Sequence, residues 1–503
     1  MNTLIKKYWN EKPLALILFI AIILRLLAAF FSKGFGMHDD HFLVIEASQS
    51  WVDGTDYNRW LPSNASTPSG HSWFYVGLHY LLFSILKTIH ITEPQTKMLI
   101  VRILHAFYSL SIVYFGYRIA EKLSNKDTAK KTALLLATFW FMSFLSVRNL
   151  SEFVCVPPLF AGLWMIIRGT KNKNKLIFFI LAGLIIGISF SIRYQTLIFI
   201  SGIGLALLMM RKWTEFAGIT FGVLLSIFII QGITDTIIWG YPFAELKEYI
   251  QYNIDNAYNY ETNKWYSYSL LIAGILIPPI SFFMIFGFFR SWKKHLILFL
   301  PTILFIIFHS YFPNKQERFI LPAIPFVITL GLIGWYDFKE KSNFWNKNNK
   351  LYKSFWIFFW IINLSLLPII STMYSKKARV ESMVYLSQYP NIGSILLEDS
   401  NRGSAKMPPQ FYLKQWIRVY DITQENPAHN FKAFMQSSKK EDHPKFVLFF
   451  NDKNIKSRLD SIVAIFPKLQ YETTIYPGFV DVVLYKLNPK NANEIIYIYK
   501  TNE

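Results

Sequence analysis

The sequence predicts a helical protein that crosses a membrane about eleven times and carries a small α/β domain after its last span. Hydrophobic residues make up 52% of the 503 residues and charged residues only 17%, below the share that is usual for a soluble domain. The apolar residues form runs long enough to span a bilayer, and the basic residues gather in short segments between them. This composition excludes a disordered chain, and a single cysteine, Cys155, excludes an intramolecular disulfide.

The apolar runs begin near the N-terminus and continue to residue 373. They lie at 13–32, 97–118, 129–147, 152–168, 175–192, 195–210, 214–233, 266–289, 295–311, 317–337 and 353–373. A further candidate, 73–86, is short for a span and contains His79. The basic N-terminus and first run are similar to a signal peptide. No small-residue cleavage site follows and Arg25 interrupts the run, so we interpret it as an uncleaved first span.

The distribution of charge assigns the two sides of the membrane. The 52 Lys and Arg residues against 32 Asp and Glu give a formal net charge of +20. Such a balance is often a sign of nucleic-acid binding, but here the cations occupy alternate short segments between apolar runs, as in the positive-inside rule. The segments predicted to be cytoplasmic are 6–12, 118–131, 168–175, 211–212, 290–294 and 339–353.

Whether the short run 73–86 crosses the membrane follows from the number of spans between the two basic segments that flank it. Because 6–12 and 118–131 are both predicted to lie inside, an even number of spans must separate them. The runs 13–32 and 97–118 already make two, so 73–86 is predicted to lie on, or dip into, the outer face. The alternative is that it spans, which gives twelve spans and one basic loop on the wrong side.

The chain is therefore predicted to form two domains. Residues 1–373 make the transmembrane domain, with large outer loops at 33–96 and 234–265, and residues 374–503 make a soluble α/β domain on the same face. In the latter, strand-like runs alternate with helix-like stretches. The strand-like runs are 395–397, 445–450 and 480–487, and the helix-like stretches are 430–437 and 455–466.

An acidic cluster opens the first outer loop, where the first span ends. Asp39, Phe42 and Glu46 stand at positions i, i+3 and i+7 of an amphipathic helix predicted over 39–52, and Asp40 lies beside them. A carboxylate at the membrane surface beside apolar groups is a candidate general base, because partial desolvation raises its pKa toward the working pH.

Two other interpretations of this cluster are open. Asp39 and Asp40 also suit the first turn of a helix, where a carboxylate interacts favourably with the helix dipole. Alternatively, His38, Asp39, Asp40 and His41 could supply a metal site, although neighbouring residues on a helix point in different directions and only some could reach one ion.

Cations gather in three other predicted outer turns. In the first, Lys315 and Arg318 stand three residues apart and could converge on one phosphate, with His309 nearby. The alternative is that they extend to lipid headgroups, as cations at span ends often do. The second turn contains Arg148 with Glu152, and the third contains Arg193. Taken alone, the charged residues of each turn are typical of an ion pair or a headgroup anchor.

Two further arginines, Arg25 and Arg102, lie within apolar runs. A charge at that depth costs roughly 2.5–3.5 kcal/mol, so both are expected to face the interior of the helix bundle. The cations and the acidic cluster together suit a reaction in which a lipid phosphate leaves. The cations would stabilise the phosphate while the carboxylate takes a proton from an incoming hydroxyl.

These motifs resemble those of the GT-C mannosyltransferases of N-glycan and GPI-anchor assembly, glycosyltransferase family 22. Asp39-Asp40-His41-Phe42 with Glu46 is similar to the family's Asp-Glu-x-Phe-x-x-x-Glu pattern, and Gly54 and Trp60 stand where it has Gly and Trp. Residues 314–325 are similar to the family's His-Lys-Glu-Glu-Arg-Phe signature, and residues 235–266 are similar to its second loop. Arg148, Glu152 and Arg193 stand where it has an Arg…Glu turn and an Arg.

The resemblance, over about residues 20–335, implies a GT-C fold and an inverting transfer from a polyprenyl-phosphate sugar, most simply mannose. The acceptor would be a hydroxyl of a glycan or glycolipid at the extracytoplasmic face. Asp39 would be the base, and Lys315 and Arg318 would hold the leaving phosphate with His309 or Arg193. Neither a metal nor a nucleotide sugar is expected. His71, Asn314, Gln316 and Asp40 depart from the family pattern and leave the acceptor and the sugar open.

Other interpretations compete with this one. Five aromatic residues could stack on sugars or form an interfacial belt; they are Trp60, Trp73, Trp239, Tyr241 and Trp265. A transporter or flippase of lipid-linked sugars would predict inverted repeats, of which the sequence shows none, and a non-catalytic assembly subunit is a third possibility. The Lys-, Asn- and Ile-rich composition favours a bacterial inner membrane over the ER membrane.

Overall fold

The structure is a computed structural model that describes residues 2–170, 174–260, 262–488 and 493–502. Lys171–Lys173, from one predicted basic segment, lie outside the described residues. Up to residue 371 the described chain is almost entirely helical. Its α-helices are α1 (Asn2–Glu11), α2 (Pro13–Phe31), α3 (Ala47–Val52), α4 (Trp73–Thr88), α5 (Pro94–Leu123), α6 (Lys126–Thr138), α7 (Met142–Leu145), α8 (Ser151–Val154), α9 (Val156–Arg168), α10 (Lys175–Ile192), α11 (Thr196–Met209), α12 (Trp213–Ile227), α13 (Ile233–Trp239), α14 (Ala244–Asp255), α15 (Ser267–Ile275), α16 (Ile280–Arg290), α17 (Leu296–Tyr311), α18 (Ile324–Lys341), α19 (Asn343–Lys347) and α20 (Asn349–Ser371).

Short segments of other helix types complete this part of the chain. Asp40–Glu46 and Phe228–Gly232 are π-helical, and Glu317–Ala323 is a 3₁₀ turn that leads into α18.

Seven helical segments of the described chain are long and apolar enough to cross a membrane. They are Pro13–Phe31, Pro94–Leu123, Ser151–Arg168, Lys175–Ile192, Trp213–Trp239, Glu317–Lys341 and Asn349–Ser371. Three shorter apolar helices, α11, α16 and α17, coincide with other predicted runs. The predicted multi-pass helical membrane protein is thus confirmed, while the count of about eleven spans stays a prediction.

Two predicted runs are interrupted. The run 129–147 is divided where α6 ends at Thr138, and 266–289 is divided between α15 and α16 at Pro278 and Pro279, which lack the N–H that a continuing helix needs. Helix α4, over the ambiguous run 73–86, has 16 residues. That it does not cross the membrane stays a prediction.

The bundle helices pack closely through small residues, which permit neighbouring backbones to approach. A Cβ on Gly183 of α10 would lie 2.3 Å from the carbonyl oxygen of Ile219, and one on Gly222 of α12 would lie 2.1 Å from that of Ile180. The two buried arginines behave as predicted. Arg25 is fully buried and its Nε donates to Ser109 Oγ at 2.9 Å, and the Nε of buried Arg102 donates to the carbonyl of Ala29 at 2.6 Å.

The chain divides into two compact units. The first comprises residues 1–30, 59–78 and 100–372, and the second comprises 31–58, 79–99 and 373–503. The first unit therefore contains most of the bundle. The second contains the acidic cluster of the first loop together with the C-terminal α/β region.

The C-terminal region is built on a five-stranded mixed sheet. Its strands are β1 (Ser394–Glu398), β2 (Arg418–Ile422), β3 (Phe446–Phe450), β4 (Gln470–Ile475) and β5 (Ile496–Lys500), in the order β2-β1-β3-β5-β4. β1 runs parallel to β2 and β3, and β5 runs antiparallel to β3 and β4. Its helices are α21 (Lys377–Leu386), α22 (Ala428–Ser437), α23 (Ile455–Val463) and α24 (Phe479–Leu487), with 3₁₀ turns at Gln410–Leu413 and Lys440–Asp442.

The predicted elements of this region are confirmed with one exception. The strand-like runs 395–397 and 445–450 fall in β1 and β3, and the helix-like stretches 430–437 and 455–466 correspond to α22 and α23. The predicted strand at 480–487 is wrong, because this segment forms α24. A short apolar run does not distinguish a strand from a helix by periodicity alone.

Candidate functional site

A buried ion cluster in the first unit brings together residues from three turns. Glu152, in α8, is fully buried. Its Oε1 lies 3.0 Å from Nη2 of Arg193, which follows α10, and 3.3 Å from Nε of Arg318, in the 3₁₀ turn before α18. One carboxylate faces two guanidinium groups, so the cluster keeps an excess of one positive charge. Such a charge is stable at a partly buried site only with further polar partners.

Neighbouring side chains hold both arginines in place. Arg193 Nη1 donates to Ser151 Oγ at 3.2 Å, and Arg318 Nε donates to Gln316 Oε1 at 2.8 Å. The guanidinium carbons lie 5.3 and 5.4 Å from the ring centroid of Phe319, close enough for a cation–π interaction. Gln316, one of the departures from the family pattern, therefore orients an arginine.

His309, near the end of α17, is buried. Its Nδ1 lies 2.9 Å from the carbonyl oxygen of Phe305, which can only accept, so Nδ1 carries the hydrogen. Among the residues that the structure describes, Nε2 has no hydrogen-bond partner. A buried ring nitrogen of this kind is a candidate for contact with a substrate.

Lys315 lies in the same turn as Arg318. Its side chain is largely buried and Nζ donates to the carbonyl of Phe312 at 2.8 Å, while burial lowers its pKa. The turn itself is fixed by Tyr268, whose hydroxyl donates to the carbonyl of Gln316 at 2.9 Å. Arg148 is also buried, and its guanidinium lies 4.4 Å from the ring centroid of Phe144.

A second carboxylate in the first unit, Glu245 of α14, joins two loops. Its Oε2 accepts hydrogen bonds from Ser69 Oγ at 2.9 Å, from the N–H of Gly70 at 2.6 Å and from the N–H of His71 at 3.2 Å. Its Oε1 accepts from the indole N–H groups of Trp73 at 2.9 Å and Trp239 at 2.7 Å. Glu245 was not identified from the sequence, because a single glutamate in a long polar loop carries no spacing signal.

The aromatic candidates occupy different environments. Trp60 stacks on His71 with ring centroids 5.2 Å apart. Trp239 is anchored by Glu245, whereas Tyr241 and Trp265 are 44% and 60% exposed. Trp265 lies parallel to Tyr311 at 6.5 Å. Both sugar stacking and an interfacial belt stay open for the exposed rings.

The acidic cluster belongs to the second unit, and its helix differs from the prediction. The helix predicted over 39–52 is present, but residues 40–46 form π-helical turns and 47–52 continue as an α-helix. A π-helix rotates successive residues by a smaller angle than an α-helix, so positions i, i+3 and i+7 no longer share a face. Asp39 is partly exposed, while Asp40, Phe42 and Glu46 are buried.

The structure bears on the two other interpretations of this cluster, which are a helix start and a metal site. Asp39 has a helical backbone conformation (φ −59°, ψ −47°) and not the extended one typical of a side-chain N-cap. Among the described residues, no three His, Cys, Asp or Glu side chains are grouped as metal ligands. The expectation that the reaction needs no metal stays a prediction.

Glu46 is held in the interior of the second unit. Its Oε1 accepts a hydrogen bond from the N–H of Phe411 at 2.9 Å and lies 3.5 Å from His41 Nε2. Burial raises the pKa of Glu46 to about 8, against the opposing effects of the Phe411 N–H and the charge of Arg379. Burial, with the nearby Lys376 and Arg379, lowers the pKa of His41 well below its usual value. Both side chains are therefore mainly neutral at pH 7.

Two cations from the C-terminal region lie against the segment that leads into the acidic cluster. Lys376 Nζ donates to the carbonyl of Gly36 at 2.7 Å and lies 4.3 Å from the ring centroid of Phe35. The guanidinium of Arg379 lies 5.4 Å from the same ring. His41 stacks on the Phe35 ring at 4.4 Å. Neither cation was identified from the sequence, since both lie far along the chain from the first loop.

The apolar helices, with two groups of buried and partly buried charged residues, are those of a multi-pass membrane protein. Residues 16–398 match the model of the Alg9-like mannosyltransferase family. Because this match covers most of the chain, the chain belongs to that family. The resemblance stated from the motifs is thereby confirmed.

Two relatives and one solved structure illustrate the similarity. The chain is 25% identical over 293 residues to a Dol-P-Man:Man(7)GlcNAc(2)-PP-Dol alpha-1,6-mannosyltransferase of Saccharomyces cerevisiae, covering 52% of this chain and 51% of that protein. It is 22% identical over 329 residues to GPI alpha-1,2-mannosyltransferase 3 of Homo sapiens, covering 62% and 55%. The matched region thus spans about half the length of these relatives.

A crystal structure of ArnT from Cupriavidus metallidurans bound to undecaprenyl phosphate is similar over nearly the whole chain. It covers 96% of this chain and 97% of that one with a TM-score of 0.60 and 10% sequence identity. At that identity the likeness concerns the fold alone. It confirms the predicted GT-C fold.

Proposed function

We propose that this protein is a glycosyltransferase that moves mannose from a polyprenyl-phosphate donor to a hydroxyl of a glycan or glycolipid. The reaction inverts the anomeric centre, takes place on the extracytoplasmic face, and uses Asp39 as the general base. Both relatives are named as mannosyltransferases, and the name of the yeast protein includes a dolichyl-phosphate mannose donor. The membrane is proposed to be the bacterial inner membrane.

The observation that carries this proposal is the buried cluster of Arg193 and Arg318 on Glu152. Its excess positive charge, with Lys315 in the same turn, provides donors for a departing phosphate. Pre-positioned cations in a site with little water stabilise developing negative charge more strongly than mobile ones do. In this role they replace a divalent ion, and no nucleotide sugar is required.

His309 adds an imidazole near the end of α17. Its Nδ1 is committed to the Phe305 carbonyl, and Nε2 has no partner among the described residues. We propose that Nε2 contacts the donor phosphate or the sugar. The contact would then complete the hydrogen bonding of a buried polar atom.

An apolar cavity of about 450 Å³ is suited to the polyprenyl chain. It is lined by side chains of α15, α16, α17 and α18, among them Ile272, Phe288 and Ile306. Ser310, the residue after His309, and Trp265 also line it. An isoprenoid tail in this cavity would lie against Ser310, one residue along α17 from the histidine proposed to contact the phosphate.

Asp39 is the acid of its cluster that is accessible for a proton transfer. Asp40 and Glu46 are buried, and Glu46 is engaged with the Phe411 N–H, whereas Asp39 is partly exposed. In the proposed step, Asp39 takes the proton of the acceptor hydroxyl as its oxygen attacks the anomeric carbon. The bond to the phosphate breaks on the opposite side, and polyprenyl phosphate leaves with both electrons of that bond.

A donor assay tests this function. Purified protein would be given synthetic polyprenyl-phosphate mannose, polyprenyl-phosphate glucose or GDP-mannose, each radiolabelled, together with a membrane lipid extract as the acceptor. We expect transfer from the first donor only, inhibited by free polyprenyl phosphate. Transfer from GDP-mannose, or from glucose in preference to mannose, would contradict the proposed donor.

A further inference from the structure

A second cavity, of about 640 Å³, lies between α6, α18 and α20 in the first unit. It is far from the ion cluster. Arg318 lies in the turn that precedes α18, whereas the cavity is lined by Tyr336, Lys339 and Glu340 at the other end of this helix. At the rise of an α-helix, the two ends are about 30 Å apart. The cavity is therefore separate from the proposed active site.

One end of this cavity is cationic. Lys131 of α6, Lys339 of α18 and Lys353 of α20 all line it. Nζ of Lys131 lies 4.1 Å from the ring centroid of Tyr336, and Nζ of Lys339 lies 4.9 Å from that of Tyr352. Both rings also belong to the cavity wall, so these ammonium groups are held at its surface.

Carboxylates at this end are fewer than cations. Asp127 and Glu340 line the cavity, and Asp127 already pairs with Lys131 at 3.1 Å. One turn earlier on α18, Asp337 is contacted by three cations: Arg290 and Lys294, each at 3.6 Å, and Lys341 at 2.8 Å. The cavity and its surroundings therefore keep an excess of positive charge.

The rest of the wall is apolar. Leu134 and Leu135 on α6 and Ile357 and Trp360 on α20 continue from the lysines toward the middle of the predicted spans. The cavity thus has a cationic end at the terminus of the helices and an apolar side along them. This division matches a phospholipid, with its phosphate at the boundary and its acyl chains in the hydrocarbon layer.

We propose that this cavity is a binding site for an anionic phospholipid. Its phosphate is held by Lys131, Lys339 and Lys353, and its acyl chains lie against the apolar wall. The basic segments that supply these lysines are those that the positive-inside rule assigns to the cytoplasmic face, where the leaflet is rich in anionic lipid. The bound lipid would brace α20 against α6 and α18.

Native mass spectrometry of the purified full-length protein tests the proposal. The wild type would be titrated with phosphatidylglycerol, with phosphatidylcholine and with inorganic phosphate. We expect about tenfold stronger binding of phosphatidylglycerol than of phosphatidylcholine, and no displacement of the lipid by inorganic phosphate. Equal binding of the two lipids, or displacement by phosphate alone, would overturn the proposal without any variant.

Two variants locate the site. The triple variant Lys131→Gln, Lys339→Gln, Lys353→Gln should lose the preference for phosphatidylglycerol, and Leu134→Trp should reduce the binding of both lipids by filling the apolar side. A matched triple variant neutralises three exposed lysines outside the cavity, Lys122, Lys293 and Lys347. If the first triple variant binds phosphatidylglycerol as the wild type does, or the matched one loses binding equally, the site is not this cavity.

Discussion

Glu46 in the first loop accepts a hydrogen bond of 2.9 Å from the backbone N–H of Phe411, 365 residues later in the chain. The bond ties the acidic cluster to the 3₁₀ turn Gln410–Leu413 of the C-terminal region within the second unit. It also gives Glu46 a structural contact within the second unit. A fully buried acid with a backbone partner supports the conformation of the loop, and leaves the partly exposed Asp39 as the candidate base.

The raised pKa of Glu46 gives a prediction about pH. The carboxyl keeps its proton up to about pH 8 in the folded protein, while the unfolded chain loses it near pH 4.5. The folded state therefore holds more protons across this window, and stability falls as the pH rises from 4.5 to 8 and then levels off. The loss is on the order of a few kcal/mol.

Melting temperatures of the purified protein at pH 5 and pH 8 check this prediction. Glu46→Gln, which is neutral at every pH, should have a smaller difference between the two values than the wild type. Glu441→Gln, at an exposed position, serves as the control and should behave as the wild type. An equally large difference in Glu46→Gln would show that Glu46 does not carry the effect.

The Glu152 cluster predicts a stability effect of a different kind. In Glu152→Gln the buried guanidinium of Arg318 and the half-buried one of Arg193 lose their shared carboxylate. Removing one partner of a buried ion pair typically costs about 3–5 kcal/mol. We expect a marked fall in melting temperature, whereas the neighbouring exposed Glu317→Gln should change little. An unchanged melting temperature in Glu152→Gln would contradict the pairing.

Substitution of Lys315 should change the KM for the donor and leave the KM for the acceptor unchanged. If Lys315 contacts the leaving phosphate, Lys315→Gln should raise the KM for the polyprenyl-phosphate sugar about tenfold, since a charge-assisted hydrogen bond is lost. Inhibition by free polyprenyl phosphate should weaken in parallel. Lys264→Gln makes the same charge change at an exposed position and should leave the donor KM unchanged. A raised acceptor KM with an unchanged donor KM would remove Lys315 from the phosphate site.

Glu245 is predicted to fix the conformation of the 69–73 segment. Both its oxygens accept hydrogen bonds from this segment, and Glu245→Gln would place an amide hydrogen-bond donor among groups that also donate. The amides of Gly70 and His71 should then exchange with deuterium faster by tenfold or more. Glu248→Gln, one helical turn away, is the matched control. Unchanged exchange at Gly70 would show that the hydrogen bonds of Glu245 do not fix the conformation of the 69–73 segment.

The sequence predicted those features that depend on local composition. Apolar runs identified the helices, and the cost of a buried charge placed Arg25 and Arg102 in the bundle interior. The motifs selected Glu152, Arg193 and Arg318 one by one. That they share a single carboxylate oxygen could not be predicted, because ion pairing between distant turns depends on tertiary packing.

Other features left no signal in the sequence. The π-helical turns at 40–46 alter which side chains share a face, yet their residues have an ordinary amphipathic pattern. Lys376 and Arg379 reach Phe35 only because the C-terminal region folds with the first loop in one unit. The segment 480–487 has too few residues for its periodicity to separate helix from strand.

A comparison of four proteins tests whether Asp39 is the base of a mannosyl transfer. Wild type, Asp39→Asn, Asp40→Asn and Glu46→Gln would be assayed together, in EDTA, for transfer of labelled mannose from polyprenyl-phosphate mannose to a membrane lipid extract. We expect Asp39→Asn to lose transfer by a factor of at least about 100, the range of general-base catalysis, while it melts as the wild type does. Full activity in Asp39→Asn, with loss in Asp40→Asn or Glu46→Gln, would contradict it and move the base to a buried acid.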